Sequence, residues 1–305
     1  MKKNIINNLV KLIIVSACFS FLYYNLDTHI IKKIFNNLNY NFITPLILVF
    51  ILYLVTYSIF TFKIYDYLFK SKLEMINWMK IYVNGNFFNS IPLFGFVYKG
   101  YKLNKYGISI KKYFFANIFI SWFAVSVFFI IYSLEMLFLI NPLISIFNIP
   151  VYLFLLSISI LTFFGPKIGN FCLQKLNINI QIIKSLFVFL EKNRLSKKMA
   201  KHYLTYGLLL HILIFFTYFF VIKLLNIPIS FKIIIVIFLI NEIIDAIPLP
   251  NNNFLLTELI GGFTATFVGV AFTEFVLIKF VFRIINLIII IPIFIIINIL
   301  FKSEL

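Results

Sequence analysis

Apolar runs of about membrane length follow one another along nearly the whole chain, separated by short polar stretches in which lysine and asparagine dominate. A helix needs roughly 20 apolar residues to cross the hydrocarbon core of a bilayer. Eight runs qualify, at about 9–26, 42–62, 113–138, 146–164, 203–224, 231–247, 263–282 and 284–301. Two further apolar segments, near 81–98 and 248–262, are short and interrupted, the first by Asn84, Gly85, Asn86, Asn89 and Pro92 and the second by Pro248 and Pro250. Backbone groups released by such a break need protein or water as partners at membrane depth, so both segments read as re-entrant. The pattern predicts an all-α polytopic membrane protein: a single integral-membrane domain over 1–305, with about eight transmembrane helices plus two broken or re-entrant segments.

Composition agrees. With 62% hydrophobic and 12% charged residues over 305 positions and a mean hydropathy of +1.03, the chain does not describe a soluble globular domain. Between the spans no soluble stretch exceeds about forty residues, short of what an independent catalytic domain needs, so any chemistry takes place in the membrane. The N-terminal basic-then-apolar run reads as a first anchor and not as a cleaved signal, because it continues into aromatics. Cys18 and Cys172 have no CxxC spacing and no partner histidines, which leaves neither a disulfide nor a metal reading. No metal and no cofactor is expected.

The formal net charge of +17 would point to nucleic acid in a soluble protein. Here it follows from lysine-rich loops, which hold the cytoplasmic side of a membrane protein, so anionic lipid and not nucleic acid is the expected partner. Residues 99–112 carry Lys99, Lys102, Lys105, Lys111 and Lys112, and 165–202 carry eight basic residues from Lys167 to Lys201. Both loops are therefore placed in the cytoplasm, both termini with them, and the 27–41 loop outside despite Lys32 and Lys33. Within 165–202, Ile182, Ile183, Leu186, Phe189 and Leu190 line one side of a predicted helix. Two readings stand: an interfacial helix on the inner leaflet, or a connector whose apolar residues pack beneath the bundle.

Charge within the apolar runs concentrates between Asn241 and Arg283, where Glu242, Asp245, Glu258, Glu274, Lys279 and Arg283 occur. An ionisable side chain at membrane depth costs from about 2.5 to more than 10 kcal/mol unless it is paired or wetted. These groups therefore predict a polar cavity. Arg283 and Lys279 are i, i+4 on one helix and suit a lipid phosphate, the planar guanidinium above all. The competing reading makes them structural ion pairs with Glu258 and Glu274. Glu258 follows the polar turn and is a candidate for a cationic headgroup, a coupling proton or a clamp on Arg283. Glu242 and Asp245, i, i+3, suit either a proton relay or solvated charges at a cavity mouth. Gly262, Thr266, Gly269 and Thr273 read as a small-residue packing stripe. Glu135 reads as a wetted residue near a span end, and His211 as a hydrogen-bonded packing residue. Nothing resembles a nucleophile with a base or a phosphate-cradling glycine loop.

The two interrupted segments share a local pattern, Asn89-Ser90-Ile91-Pro92-Leu93 and Asp245-Ala246-Ile247-Pro248-Leu249. Transporters built from repeats carry such pairs of broken segments in corresponding halves, and an inverted repeat with halves 1–140 and 141–305 is one arrangement that would produce them.

At these segments the chain resembles the transmembrane, flippase-like region of the lysylphosphatidylglycerol synthase/flippase family. The resemblance rests on three stretches. One is Asn86-Phe87-Phe88-Asn89-Ser90-Ile91-Pro92-Leu93-Phe94-Gly95, followed by Lys99 and the basic run Leu103–Lys112. Another is Ile247-Pro248-Leu249-Pro250 through Glu258, and the last is Arg283, about one helix length beyond that glutamate. Asn251, Asn252 and Asn253 stand where the family has a glycine-rich turn; asparagine tolerates positive φ better than most residues. Phe96 replaces an acidic residue and Lys99 an arginine. The resemblance implies a stand-alone member without the aminoacyltransferase domain, and so translocation of a phospholipid or polyprenyl-linked lipid between leaflets, with lysylphosphatidylglycerol as one headgroup type. With the charges read above, the expected substrate contacts are Arg283, Lys279, Glu258, Asn251, Asn252, Asn253, Asn86, Asn89 and Lys99, in a cavity lined by both broken segments, and Glu242, Asp245 and Glu274 are the candidates for handling protons or cations. Two other readings remain: a membrane-embedded lipid or polyprenyl transferase, and a non-catalytic assembly partner of a separately encoded lipid-modifying enzyme.

Overall fold

The computed structural model describes residues 24, 26–70, 72–88, 94–137, 145–146, 149–175, 181–192, 197–246 and 256–300. These are helical apart from the turns and a hairpin of two two-residue strands, β1 (Ser145–Ile146) and β2 (Ile149–Pro150). The helices are α1 (Thr28–Asn36), α2 (Ile43–Phe69), α3 (Met75–Phe88), α4 (Phe94–Asn104), α5 (Ile110–Glu135), α6 (Val151–Lys175), α7 (Gln181–Lys192), α8 (Lys197–Leu224), α9 (Phe231–Ala246), α10 (Leu256–Thr266) and α11 (Phe272–Leu300). The protein is thus a helical, multi-pass membrane protein. Among the described residues four helical stretches are long and apolar enough to cross a bilayer: Tyr40–Phe69, Ile110–Glu135, Lys201–Leu224 and Phe272–Ile299. The bent α6 makes a fifth if it is one span.

Its bend of 54°, between Leu161 and Phe164, has a local cause. Pro166 lies inside the helix, and a proline ring clashes with the carbonyl four residues earlier, which is that of Thr162. The run expected at 146–164 stops short of Pro166, whereas the helix resumes beyond it to Lys175.

Two expected boundaries change. The runs 263–282 and 284–301 are not two spans. Their junction at Arg283 lies inside the continuous helix α11, because a charged side chain with a partner does not interrupt the backbone. The break falls earlier, at Gly269, whose φ of +83° is the left-handed conformation that glycine adopts at least cost. There Gly269 N–H donates to Thr266 O and Val270 N–H to Ala265 O, both at 3.1 Å, the Schellman closure of α10. The stripe of Gly262, Thr266, Gly269 and Thr273 is consequently divided by a turn and does not form one helix face. The 231–247 run is helical as expected over its described part, α9 (Phe231–Ala246). Lastly, the stretch taken for a loop at 27–41 contains α1, capped by Asp27 Oδ1, which accepts from His29 and Ile30 N–H. The run expected at 9–26 lies outside the described residues except for Tyr24 and Leu26.

The chain divides into two compact units, residues 1–50 with 214–289 and residues 51–213 with 290–305. The second has an aromatic core in which Trp78 packs on Tyr65 (centroids 4.8 Å apart), Tyr113 stacks on Tyr65, and Tyr203 meets Phe60 edge-on. Trp78 Nε1–H donates to Ser58 O at 2.9 Å, so the buried indole keeps its partner. Leu190 of α7 is buried in this core, with Leu186, Phe187 and Phe189 packed against it. Of the two readings of the 165–202 helix, the structure favours packing on protein. In the first unit Tyr218 stacks on Phe282 at 4.8 Å and Phe50 meets the same ring edge-on. The backbone N–H of Asp27 donates to Thr273 Oγ1 at 3.0 Å.

In the second unit α3 and α4 pack on each other, and in the first α9 and α10 do so; both Ile-Pro-Leu sequences, within 89–93 and 247–255, lie outside the described residues. The segment near 81–98 is therefore two helices, with α3 running unbroken through Asn84, Gly85 and Asn86.

Candidate functional site: a buried ion pair between two helices

In the first unit, α10 starts immediately before Thr257 and Glu258, and the turn at Gly269 folds the chain back so that α11 runs alongside. This brings Arg283 to Glu258. Arg283 Nη2 lies 2.7 Å from Glu258 Oε1, with 7% of the carboxylate side chain and 30% of the arginine exposed. Thr257, wholly buried, donates from Oγ1 to Glu258 Oε2 at 3.0 Å and accepts from Arg283 Nη2 at 3.2 Å. The three side chains are mutually connected: the carboxylate is held at both oxygens, and the hydroxyl spans the pair. A charge-assisted contact of this length is among the stronger hydrogen bonds a protein makes, and its more accessible member is the cation.

The other expected site residues fall in several places. Lys279, one turn before Arg283, is buried, and its ammonium lies over the Tyr218 ring, 5.8 Å from the centroid. Glu274 caps α11, accepting the Ala271 N–H at 3.2 Å through Oε2. An acidic side chain in a first turn also offsets the helix dipole. Glu242 lies half-buried on α9, and Asp245 is one turn further along the same helix. Asn251, Asn252 and Asn253 lie outside the described residues, as does Asn89.

In the second unit, Lys99 of α4 crosses α3. Its stem lies against Gly85, where an added Cβ would overlap Lys99 Cγ, Cδ and Cε. Its ammonium donates to Asn86 Oδ1 at 2.6 Å and sits 4.9 Å from the centre of the Tyr82 ring. Glycine at 85 is thus required by close approach and not by backbone conformation.

Several polar contacts escape a reading by spacing. Glu135 is not a solvated charge: its Oε1 lies 2.9 Å from His211 Nε2, the histidine being buried. That is also the hydrogen-bonded packing role expected of His211. Asn84 and Asn298 exchange amide hydrogen bonds at 3.0 and 3.3 Å, and Asn84 also donates to Tyr98 Oη at 3.2 Å. The only signal for Asn298 is chemical. An asparagine within a run of isoleucine must find a partner.

The comparisons decide the family. The family described as lysylphosphatidylglycerol synthase TM region matches residues 8–293. The chain belongs to this family. No curated protein and no solved structure matches it. In this member of the lysylphosphatidylglycerol synthase TM family, Glu258 of α10 and Arg283 of α11 are joined directly.

Proposed function

We propose that the chain moves a phospholipid or polyprenyl-linked lipid between the leaflets of a bacterial cytoplasmic membrane, with an anionic or lysylated phosphatidylglycerol headgroup as the substrate type. The observation that carries this reading is the buried Glu258–Arg283 pair, 2.7 Å apart with the arginine the more exposed partner, in a chain of this family. Moving a bare headgroup charge into hydrocarbon has an idealised cost of order 20 kcal/mol. A site of fixed opposite charges lowers that barrier by replacing the lost hydration.

Arg283 is the group an arriving phosphodiester meets first. The phosphate displaces Glu258 from the guanidinium, and Thr257 keeps the freed carboxylate hydrogen-bonded while the partners exchange. A lysyl headgroup supplies an ammonium that Glu258 can take in turn, whereas a headgroup without one leaves Glu258 to be neutralised by a proton. The acyl chains stay in lipid throughout. In this reading the basic loops and both termini face the cytoplasm, as the distribution of lysine predicts.

The test is leaflet exchange. Vesicles holding the purified full chain should expose headgroup-labelled phosphatidylglycerol to an external quencher at least ten times faster than empty vesicles. Equal rates with folded protein present overturn the proposal.

A further inference from the structure

Away from the ion pair, the second unit holds a small cleft between α3, the end of α4 and the last turns of α11. Lys80, Lys102 and Lys105 line it together with Asn84, Asn298 and Tyr98, and among the described residues that line it none is acidic. We infer that this cleft binds a phosphate-bearing anion. The inference does not depend on lipid translocation: an anion held here without any leaflet exchange leaves it standing.

Three observations converge. Three ammonium-bearing side chains line one depression, a local concentration of positive charge that attracts an anion. The floor is preorganised. The reciprocal Asn84–Asn298 amide bonds fix both side chains, and because Tyr98 Oη accepts from Asn84, its own O–H proton is directed elsewhere and can serve an occupant. Size is selective as well. The cleft holds about 50 Å³, on a scale where one water takes ~10–15 Å³. That suits a single tetrahedral oxyanion but not a whole headgroup, so the remainder of any larger ligand stays outside.

The electrostatics agree. Partial burial first, and the neighbouring Lys105 second, hold the Lys102 ammonium below the ordinary lysine range, and a bound anion relieves both. The phosphate belongs either to an anionic lipid or to a soluble ion. The lysines lie at or near the basic loop 99–112, which the charge pattern places at the inner leaflet surface.

The experiment uses the full chain purified in mild detergent, with two probes in separate arms: inorganic phosphate, and mixed micelles containing phosphatidylglycerol set against phosphatidylcholine alone. Thermal stabilisation is read across each titration. Wild type should be stabilised by at least one anionic probe, and Lys102→Gln/Lys105→Gln should bind that probe at least five-fold more weakly. Lys111→Gln/Lys112→Gln, which removes the same charge from exposed positions, should bind as wild type does. Lys105→Gln alone, at an exposed position, serves if the double variant does not fold, and should weaken binding at least two-fold. A response to phosphatidylglycerol only identifies a lipid phosphate as the occupant; a response to inorganic phosphate identifies a soluble one. No response to either probe, or equal weakening by the control double variant, overturns the inference.

Discussion

Alanine at Arg283 should lower the thermal midpoint of the detergent-purified protein by roughly 6–12 °C. It leaves the Glu258 carboxylate, 7% exposed, without its cation, and removing one partner of a buried pair costs about 3–5 kcal/mol. The lower end applies, because the arginine is 30% exposed and water can partly replace it. At about 2–4 °C per kcal/mol for chains of 150–250 residues, a loss near 3 kcal/mol gives the stated shift. Glu258→Ala should act in the same direction. Glu258→Leu/Arg283→Met, which removes both charges and keeps apolar volume, should recover most of the loss, since replacing a whole buried pair by apolar groups is often neutral or better. Scanning fluorimetry on wild type, Glu258→Leu, Arg283→Met and the double variant closes the cycle. If the double variant falls by the sum of the single losses, the two side chains are not coupled and the geometry described above is wrong.

The second large effect belongs to the α3–α4 hairpin. Valine at Gly85 should destabilise the protein by about 3 kcal/mol, combining overpacking of roughly 1–3 kcal/mol with loss of a hydrogen bond to a charged group, about 1.5–3 kcal/mol. The added side chain takes the space of the Lys99 stem, and the ammonium then loses Asn86 Oδ1 and the Tyr82 face. Lys99→Ala empties that space. In the Lys99→Ala background, Gly85→Val should therefore cost less than half of what it costs alone, a non-additivity expected only of residues in contact. Equal penalties in both backgrounds would mean that Lys99 does not cross Gly85.

How much of this is legible in one sequence depends on the range of the interaction. Membrane class and most helices follow from apolar runs, which are local. The junction within α11 is misplaced because Arg283 looks like an interruption in one dimension, while in three it is neutralised by Glu258 and the backbone continues. The true break rests on one glycine at positive φ, and Gly269 carries no pattern beyond its identity. Nine-residue α1 is too short for its period to stand out beside Lys32 and Lys33.

The same holds for the site. Glu258 and Arg283 are visible as charges within apolar runs, and the family resemblance supplies their spacing. Thr257 gives no such signal, because threonine is ordinary in helices; only its position between the pair assigns it a part. Glu135 and His211 are 76 residues apart, and Asn84 and Asn298 are 214 apart. No periodicity joins residues on different helices, so each reads as isolated until the helices are packed. Lys80, Lys102 and Lys105 look like ordinary loop charge for the same reason, since their convergence on one cleft depends on the end of α11.

The account stands or falls on whether lipid crosses by way of the Glu258–Arg283 pair or past a pair that merely braces α10 against α11. Leaflet exchange by Glu258→Leu/Arg283→Met separates the two most directly, because this variant is expected to stay folded while losing both charges. The account predicts exchange of labelled phosphatidylglycerol no faster than in empty vesicles, at a thermal midpoint close to wild type. Exchange at the wild-type rate in that variant would contradict it.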